Sequence, residues 1–191
     1  MSTAPDTKER IKQSALHLFV EQGIGETSIR DIAQRAGISQ GAMYNHYSGK
    51  DELVWDLFAS NFSQIGGSLR SLADEEKAVE AKLRAMIGHI FGLFDQDWAL
   101  VSYVFFTRNE MLRKASCSDL MYPYMVFHSV ITEAVQRREL PKQNPDLSAS
   151  LVIGAMLQVA DTKALGRLQG PLTSFTGDVV RSCMSMLKQV A

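Results

Sequence analysis

Cysteine is scarce in this chain of 191 residues: there are two, Cys117 and Cys183. Two thiols make neither a disulfide framework nor a four-ligand zinc site, and they fit a reducing compartment. Charge of one sign is lacking too. Twenty Lys and Arg face 21 Asp and Glu, a net charge of −1, which excludes a basic coat protein and an acidic tail. No run approaches the ~20 apolar residues of a membrane span, and the first residues have no basic stretch followed by an apolar one. The expected location is cytoplasmic, without a membrane partner. Proline is rare, five in all, and four of them (Pro5, Pro141, Pro145, Pro171) stand where helices should begin or end.

Enzyme signatures are missing as well. His17, His46, His89 and His128 have no Glu-x-x-His or His-x-x-x-His spacing, so no metal is expected. Gly37-Ile38-Ser39-Gln40-Gly41 has the letters of a hydrolase elbow. That elbow needs a strand before it, and here a helix precedes it while Ser39 serves as a cap. There is no phosphate-cradling loop, and no cofactor is expected. The chain does not read as an enzyme.

What is present is helical periodicity throughout, with apolar residues enough for a sizeable core. Ile11, Ala15, Leu18 and Phe19 form one stripe of a first helix, opened by Asp6 and Glu9 as a capping box and closed by a left-handed Gly23. Thr27 should cap a second helix with Ile29, Ile32, Ala33 and Ala36 inside, ended by Gly37. Ser39 should cap a short third helix. Ser48 and Asp51 form the box of a fourth, which Gly66-Gly67 could kink. Longer helices are expected over about 74–94, 98–114, 119–138 (with Pro123 in its first turn or at a kink), 144–168 and 174–189.

The second and third helices, joined by Ala36-Gly37-Ile38-Ser39, make a helix-turn-helix. Gly41 permits close backbone approach. The outer face of the third helix is Gln40, Ala42, Tyr44, Asn45 and His46: donors, acceptors and rings without strong charge, suited to base edges and phosphates in a major groove. Backbone amides near Thr27 and Ser28 can hold a phosphate at a helix start, and Lys50 adds a cation. The Tyr47 hydroxyl needs water or a phosphate as partner.

Residues 27–53, TSIRDIAQRAGISQGAMYNHYSGKDEL, resemble the N-terminal signature of TetR/AcrR-family transcriptional regulators. The match runs through Thr27, Ile32, Ala33, Ala36, Gly37, Ile38, Ser39, Gly41, Tyr44, His46, Tyr47, Lys50 and Leu53, with Tyr47 where phenylalanine is usual. The resemblance implies an all-α protein: a three-helix DNA-binding domain, residues 1–50, joined to a larger helical ligand-binding and dimerisation domain, residues 51–191. It implies a homodimer on palindromic double-stranded operator DNA, usually a repressor, with a small-molecule effector. An activator or a ligand-independent DNA-binding protein of the same fold is the alternative. By family pattern Tyr44, His46 and Lys50 meet phosphates, while Gln40, Ala42 and Asn45 face bases.

The larger part offers two further candidate sets. Trp98, Tyr103, Phe106, Arg108, Met125, His128 and Met156 are either ordinary core or the wall of a cavity for an apolar ligand, with Arg108 and His128 as polar anchors. Leu151, Ala155, Val159, Phe175, Val179 and Cys183 lie on the last two long helices. They are buried in one subunit or, paired across a two-fold axis, form a four-helix dimer interface.

Overall fold

The computed structural model describes residues 6–114 and 123–189, without the side chains of residues 106, 108–110 and 112–114. Cys117 and the side chains of Phe106 and Arg108 therefore lie outside the described residues. The described residues form nine α-helices: α1 (Thr7–Gln22), α2 (Ile29–Ala36), α3 (Gln40–Tyr44), α4 (Lys50–Glu75), α5 (Val79–Gln96), α6 (Trp98–Lys114), α7 (Pro123–Gln136), α8 (Pro145–Ala164) and α9 (Thr176–Gln189), with a 3₁₀ turn at Leu172–Phe175 before the last. The fold is all-α, as the periodicity predicts.

Contacts divide the chain into two compact units. The first comprises Met1–Asn61 with Ala99–Ser118, and the second Phe62–Trp98 with Asp119–Ala191. A division after residue 50 follows the helix-turn-helix; the contact grouping runs on into α4 and takes in α6.

In the first unit α1 packs on α2, and α2 on α3. Ile11, Ala15 and Phe19 from α1 meet a core that includes Ile32, Ala33, Met43, Leu53 and Phe58, all buried. Tyr103 of α6 stacks on Phe19 with ring centroids 5.9 Å apart. Its hydroxyl donates to the Val54 carbonyl at 2.9 Å, which satisfies a polar atom inside an apolar setting.

In the second unit α5 packs on α9 and α7 on α8. Leu83, Ile87, Ile90, Phe91, Val126, Phe127, Ile131, Val152, Met156 and Val180 are fully or almost fully buried. A salt bridge ties α5 to α7: the buried Lys82 ammonium donates to Glu133 at 2.8 Å, and Arg137 holds the other oxygen at 2.6 Å. Asn144 caps α8 by accepting the Asp146 and Leu147 amides, with Pro145 at the first helical position, as predicted.

Several predicted local features differ. The Asp6 side chain makes no cap bond, and Gly23 ends α1 with φ 90 and ψ 155, outside the left-handed helical region. The cap of α2 is Ser28 rather than Thr27. At the start of α4, Ser48 bonds Glu52 rather than Asp51. Gly66-Gly67 does not divide α4, which is one helix of 26 residues. Phe62, Ile65, Leu69 and Ala73 form one buried stripe across the glycines, and burial along a stripe outweighs the ~1 kcal/mol helix penalty of each glycine. The helix after it consequently starts at Val79, not near residue 74.

One carboxylate orders the turn before α9. Asp95 accepts the Leu172 amide at 2.7 Å, the Thr173 amide at 3.0 Å and the Thr173 hydroxyl at 2.9 Å. Burial alone would raise its pKa, but these bonds outweigh it and hold the carboxyl below the usual aspartate range. A depressed folded-state pKa contributes stability that is complete above the ordinary value, about 4, and is lost as pH falls through the folded value. Thermal unfolding followed from about pH 5 down to about pH 3 is therefore expected to lose stability more steeply in the wild type than in Asp95→Asn. Equal slopes would remove Asp95 from the account.

Candidate nucleic-acid interface

The reading head is built by local capping. Ser28 and Asp31 form a reciprocal box: the Ser28 hydroxyl accepts the Asp31 amide at 3.2 Å, and the Asp31 carboxylate accepts the Ser28 amide at 2.9 Å. Bonds from the Ser28 hydroxyl and amide hold the Asp31 carboxyl below its ordinary pKa. Gly37 ends α2 with φ 66 and ψ 39, the left-handed conformation the tight turn requires. The Arg10 guanidinium donates to the Ala36 carbonyl and, at 3.5 Å, to that of Gly37. Ser39 then opens α3 by accepting the Ala42 amide at 3.1 Å.

The predicted DNA-facing residues fall into two groups. Ser28, Ser39, Gln40, Gly41, Tyr44, Asn45 and His46 are exposed, Tyr44 to 57%, and Ala42 is half-buried. The outer face of α3 is thus open to solvent and free of charged side chains. Thr27, Tyr47 and Lys50 are otherwise engaged. Thr27 is 1% exposed, and its hydroxyl donates to the Gly23 carbonyl at 2.8 Å. Tyr47 is 2% exposed, and its hydroxyl donates to Asp56 at 2.8 Å, so its partner is neither water nor phosphate. The Lys50 ammonium donates to three carbonyls of the loop before α2, those of Ile24 at 2.8 Å, Gly25 at 3.2 Å and Thr27 at 2.9 Å. All three donors of an ammonium are then used within the protein.

A census of cations over residues 6–61 sharpens this point. Lys8 and Lys12 pair with Asp56, Arg10 holds carbonyls, Arg35 makes a bidentate pair with Glu21 at 2.7 and 2.9 Å, and Lys50 holds its loop. Arg30 alone among these has no hydrogen bond or ion pair within the described residues. It flanks a shallow cleft of about 410 Å³ between α2 and α3, lined also by Ala33, Gln34, Ile38 and Gln40. Sequence reasoning passed over Arg30 because six cations look alike until their partners are known.

The second candidate sets are placed as follows. Tyr103 belongs to the first unit; Trp98, Met125, His128 and Met156 belong to the second. Trp98 packs at 4.9 Å against Phe94. Met125 is 51% exposed, whereas Met156 is fully buried. His128 is half-buried, with Nε2 3.7 Å from an Asp146 oxygen that also accepts the Tyr124 hydroxyl at 2.6 Å. Of the predicted interface residues, Val179 and Cys183 are turned into the core of their own unit. Leu151 and Ala155 are exposed, and Val159 and Phe175 half-exposed. Leu147, Leu151 and Leu165 of α8 and the residue just past it are 52%, 39% and 70% exposed.

A capped helix-turn-helix with an uncharged polar outer face, within an all-α chain, defines a helix-turn-helix DNA-binding regulator. Comparison with known proteins gives the family: residues 11–57 match the model for bacterial regulatory proteins of the tetR family. Residues 11–57 thus carry the N-terminal domain of this family of transcriptional regulators, and curated regulators of the helix-turn-helix type resemble the chain beyond it. The HTH-type transcriptional regulator SrpR of Pseudomonas putida is 29% identical over 151 residues, 78% of this chain and 70% of that one. The fatty acid metabolism regulator protein of Bacillus subtilis (strain 168) is 20% identical over 181 residues, 92% of this chain and 93% of that one. Among solved structures, FadR from Bacillus subtilis in complex with stearoyl-CoA superposes with a TM-score of 0.76 at 18% identity, covering 93% of this chain and 97% of that one. At this identity the likeness speaks for the fold. No described helix is long and apolar enough to cross a membrane.

Proposed function

We propose that this protein is a homodimeric repressor that places α3 of each subunit in successive major grooves of a palindromic operator and is released by a small, largely apolar ligand. The observation that carries the DNA-binding part is the exposed run Tyr44-Asn45-His46 at the end of α3 and in the turn just past it, behind Gln40, with Gly37 and Ser39 capping the turn before it. Two such helices about one helical turn apart suit adjacent half-sites. The smaller domain, residues 1–50, reads DNA; the larger, residues 51–191, binds ligand and dimerises.

Dimerisation is supported by the outer face of α8, where exposed Leu147 and Leu151 accompany the small residues Gly154 and Ala155. An apolar effector is supported by the chain-long likeness to a fatty acid metabolism regulator and by the fold shared with FadR, solved with stearoyl-CoA. A ligand of this kind switches the protein only by binding the released state better than the operator-bound one.

The test is selection of DNA sites from a random pool, followed by fluorescence anisotropy over a range of salt. A palindromic site bound tightly, and weakened by titrated long-chain acyl-CoA, is the expected result. The log–log salt slope changes by about −0.9 per neutralised phosphate, so Arg30→Ala, which removes one cation from each half of the dimer, should flatten it by about 2. No selected site would overturn the DNA-binding reading. A selected site that no acyl-CoA weakens would overturn the apolar-effector reading alone.

A further inference from the structure

Tyr47 supplies a hydroxyl where packing needs only a ring. The residue is 2% exposed, so the hydroxyl had to find a partner inside the protein. It found Asp56, nearly two turns into α4, at 2.8 Å. The same carboxylate oxygen receives the ammonium groups of Lys12 at 3.1 Å and Lys8 at 3.4 Å, both from α1. Lys8 also lies 5.3 Å over the Tyr47 ring, within cation–π range. Lys12 reaches the Ser60 hydroxyl at 3.4 Å, and that hydroxyl donates to the Asp56 carbonyl at 2.6 Å. One carboxylate thus joins α1, α4 and the residue that follows α3.

The joint matters because α3 is five residues long. A helix of that length does not hold itself. Its last turn hangs on one carbonyl, that of Met43, which accepts the His46 amide at 3.0 Å and the Tyr47 amide at 3.1 Å. Met43 and Tyr47 are both buried, and the exposed Tyr44, Asn45 and His46 are strung between them. The Met43 side chain is held by packing, and its amide donates to the Ser39 carbonyl at 3.1 Å. Tyr47 is fixed by packing and by Asp56, and any movement of Asp56 along α4 reaches the exposed run through that bond.

Resting on the DNA-binding reading above, we propose that Asp56 is a positioning residue for DNA recognition: through the Tyr47 hydroxyl it sets the end of α3 on which the base- and phosphate-facing side chains are presented.

The test uses the full-length protein and its selected operator. Tyr47→Phe keeps the ring and removes the bond; Asp56→Asn keeps the shape and weakens it. Each is expected to lower operator affinity about tenfold, the loss of one hydrogen bond to a charged acceptor, with affinity for unrelated DNA unchanged in Tyr47→Phe, which leaves the Lys8 and Lys12 pairs with Asp56 in place. The double variant should be no worse than Asp56→Asn alone, since Tyr47→Phe removes only the bond that Asp56→Asn already weakens. Amide exchange in the DNA-free protein supplies a second readout. Tyr47→Phe should speed exchange at His46 and Tyr47 while leaving α1 amides at wild-type rates. Wild-type exchange at those two positions overturns the proposal whatever DNA does. Equal losses on operator and unrelated DNA, or additive effects in the double variant, overturn it as well. A wild-type chain that selects no DNA sequence overturns the DNA-binding reading itself, and with it the role of the joint in recognition, even where exchange rises.

Discussion

Replacing Tyr44 and His46 together with alanine is expected to leave the melting temperature of the protein unchanged and to cost at least a hundredfold in operator affinity. Tyr44 is 57% exposed and His46 is exposed, and neither side chain forms a hydrogen bond within the described residues. Truncating such side chains changes folding stability by about 0.5 kcal/mol or less. Contacts of this type at a DNA interface are worth about 1–3 kcal/mol each, and a dimer makes each of them twice. Calorimetry and anisotropy on the same preparation separate the two quantities. Wild-type affinity in the double variant would remove α3 as the reader.

The second large effect is on stability. Gly37→Val is expected to lower it by about 3 kcal/mol, from two causes. At φ 66 and ψ 39 a side chain strains the backbone by about 1–2 kcal/mol. The new Cβ would also lie 3.3 Å from the Arg10 guanidinium, forcing it off the carbonyls that it holds at the end of α2. A hydrogen bond from a charged donor is worth about 1.5–3 kcal/mol. For a chain of this size the sum corresponds to a fall of roughly 6–12 °C in Tm. The variant Gly37→Asn, whose side chain tolerates the left-handed region, should fall between the two. A Gly37→Val protein that melts with the wild type would mean that the turn takes another conformation.

The legible features in the sequence were local ones. Gly37, Ser39 and the Asn144-Pro145 pair each act on backbone groups two or three residues away, and each sits where the spacing predicts. The apolar stripes of α1 and α5 were legible for the same reason. What escaped was set by partners distant along the chain. Lys50 reads as a phosphate ligand until the carbonyls of Ile24, Gly25 and Thr27, more than 20 residues earlier, are seen around it. Tyr47 reads as seeking water until Asp56 is folded onto it. Thr27 and Ser28 are both good caps, and only the burial of Thr27 decides between them. The helix runs on through the glycine pair in α4 because propensity is a property of the residue, whereas the buried stripe that carries it is a property of the fold.

The internal engagement of Lys8, Arg10, Lys12, Arg35 and Lys50 bears on how such a regulator would live in a cell. Retention on bulk chromosome depends on free cations that displace counterions, not on base contacts. Among the described residues 6–61 Arg30 is the one cation without a partner in the protein, which would leave fewer copies idling on unrelated sequence. The proposed dimer would spend its time dissolved between encounters, where the proposed effector reaches it as readily as DNA does. Occupancy of one promoter then depends on the ratio of specific to competing sites, and here the denominator is small. If the protein is the ligand-released repressor proposed above, a low copy number would suffice to silence the gene, and a modest rise in effector would suffice to release it.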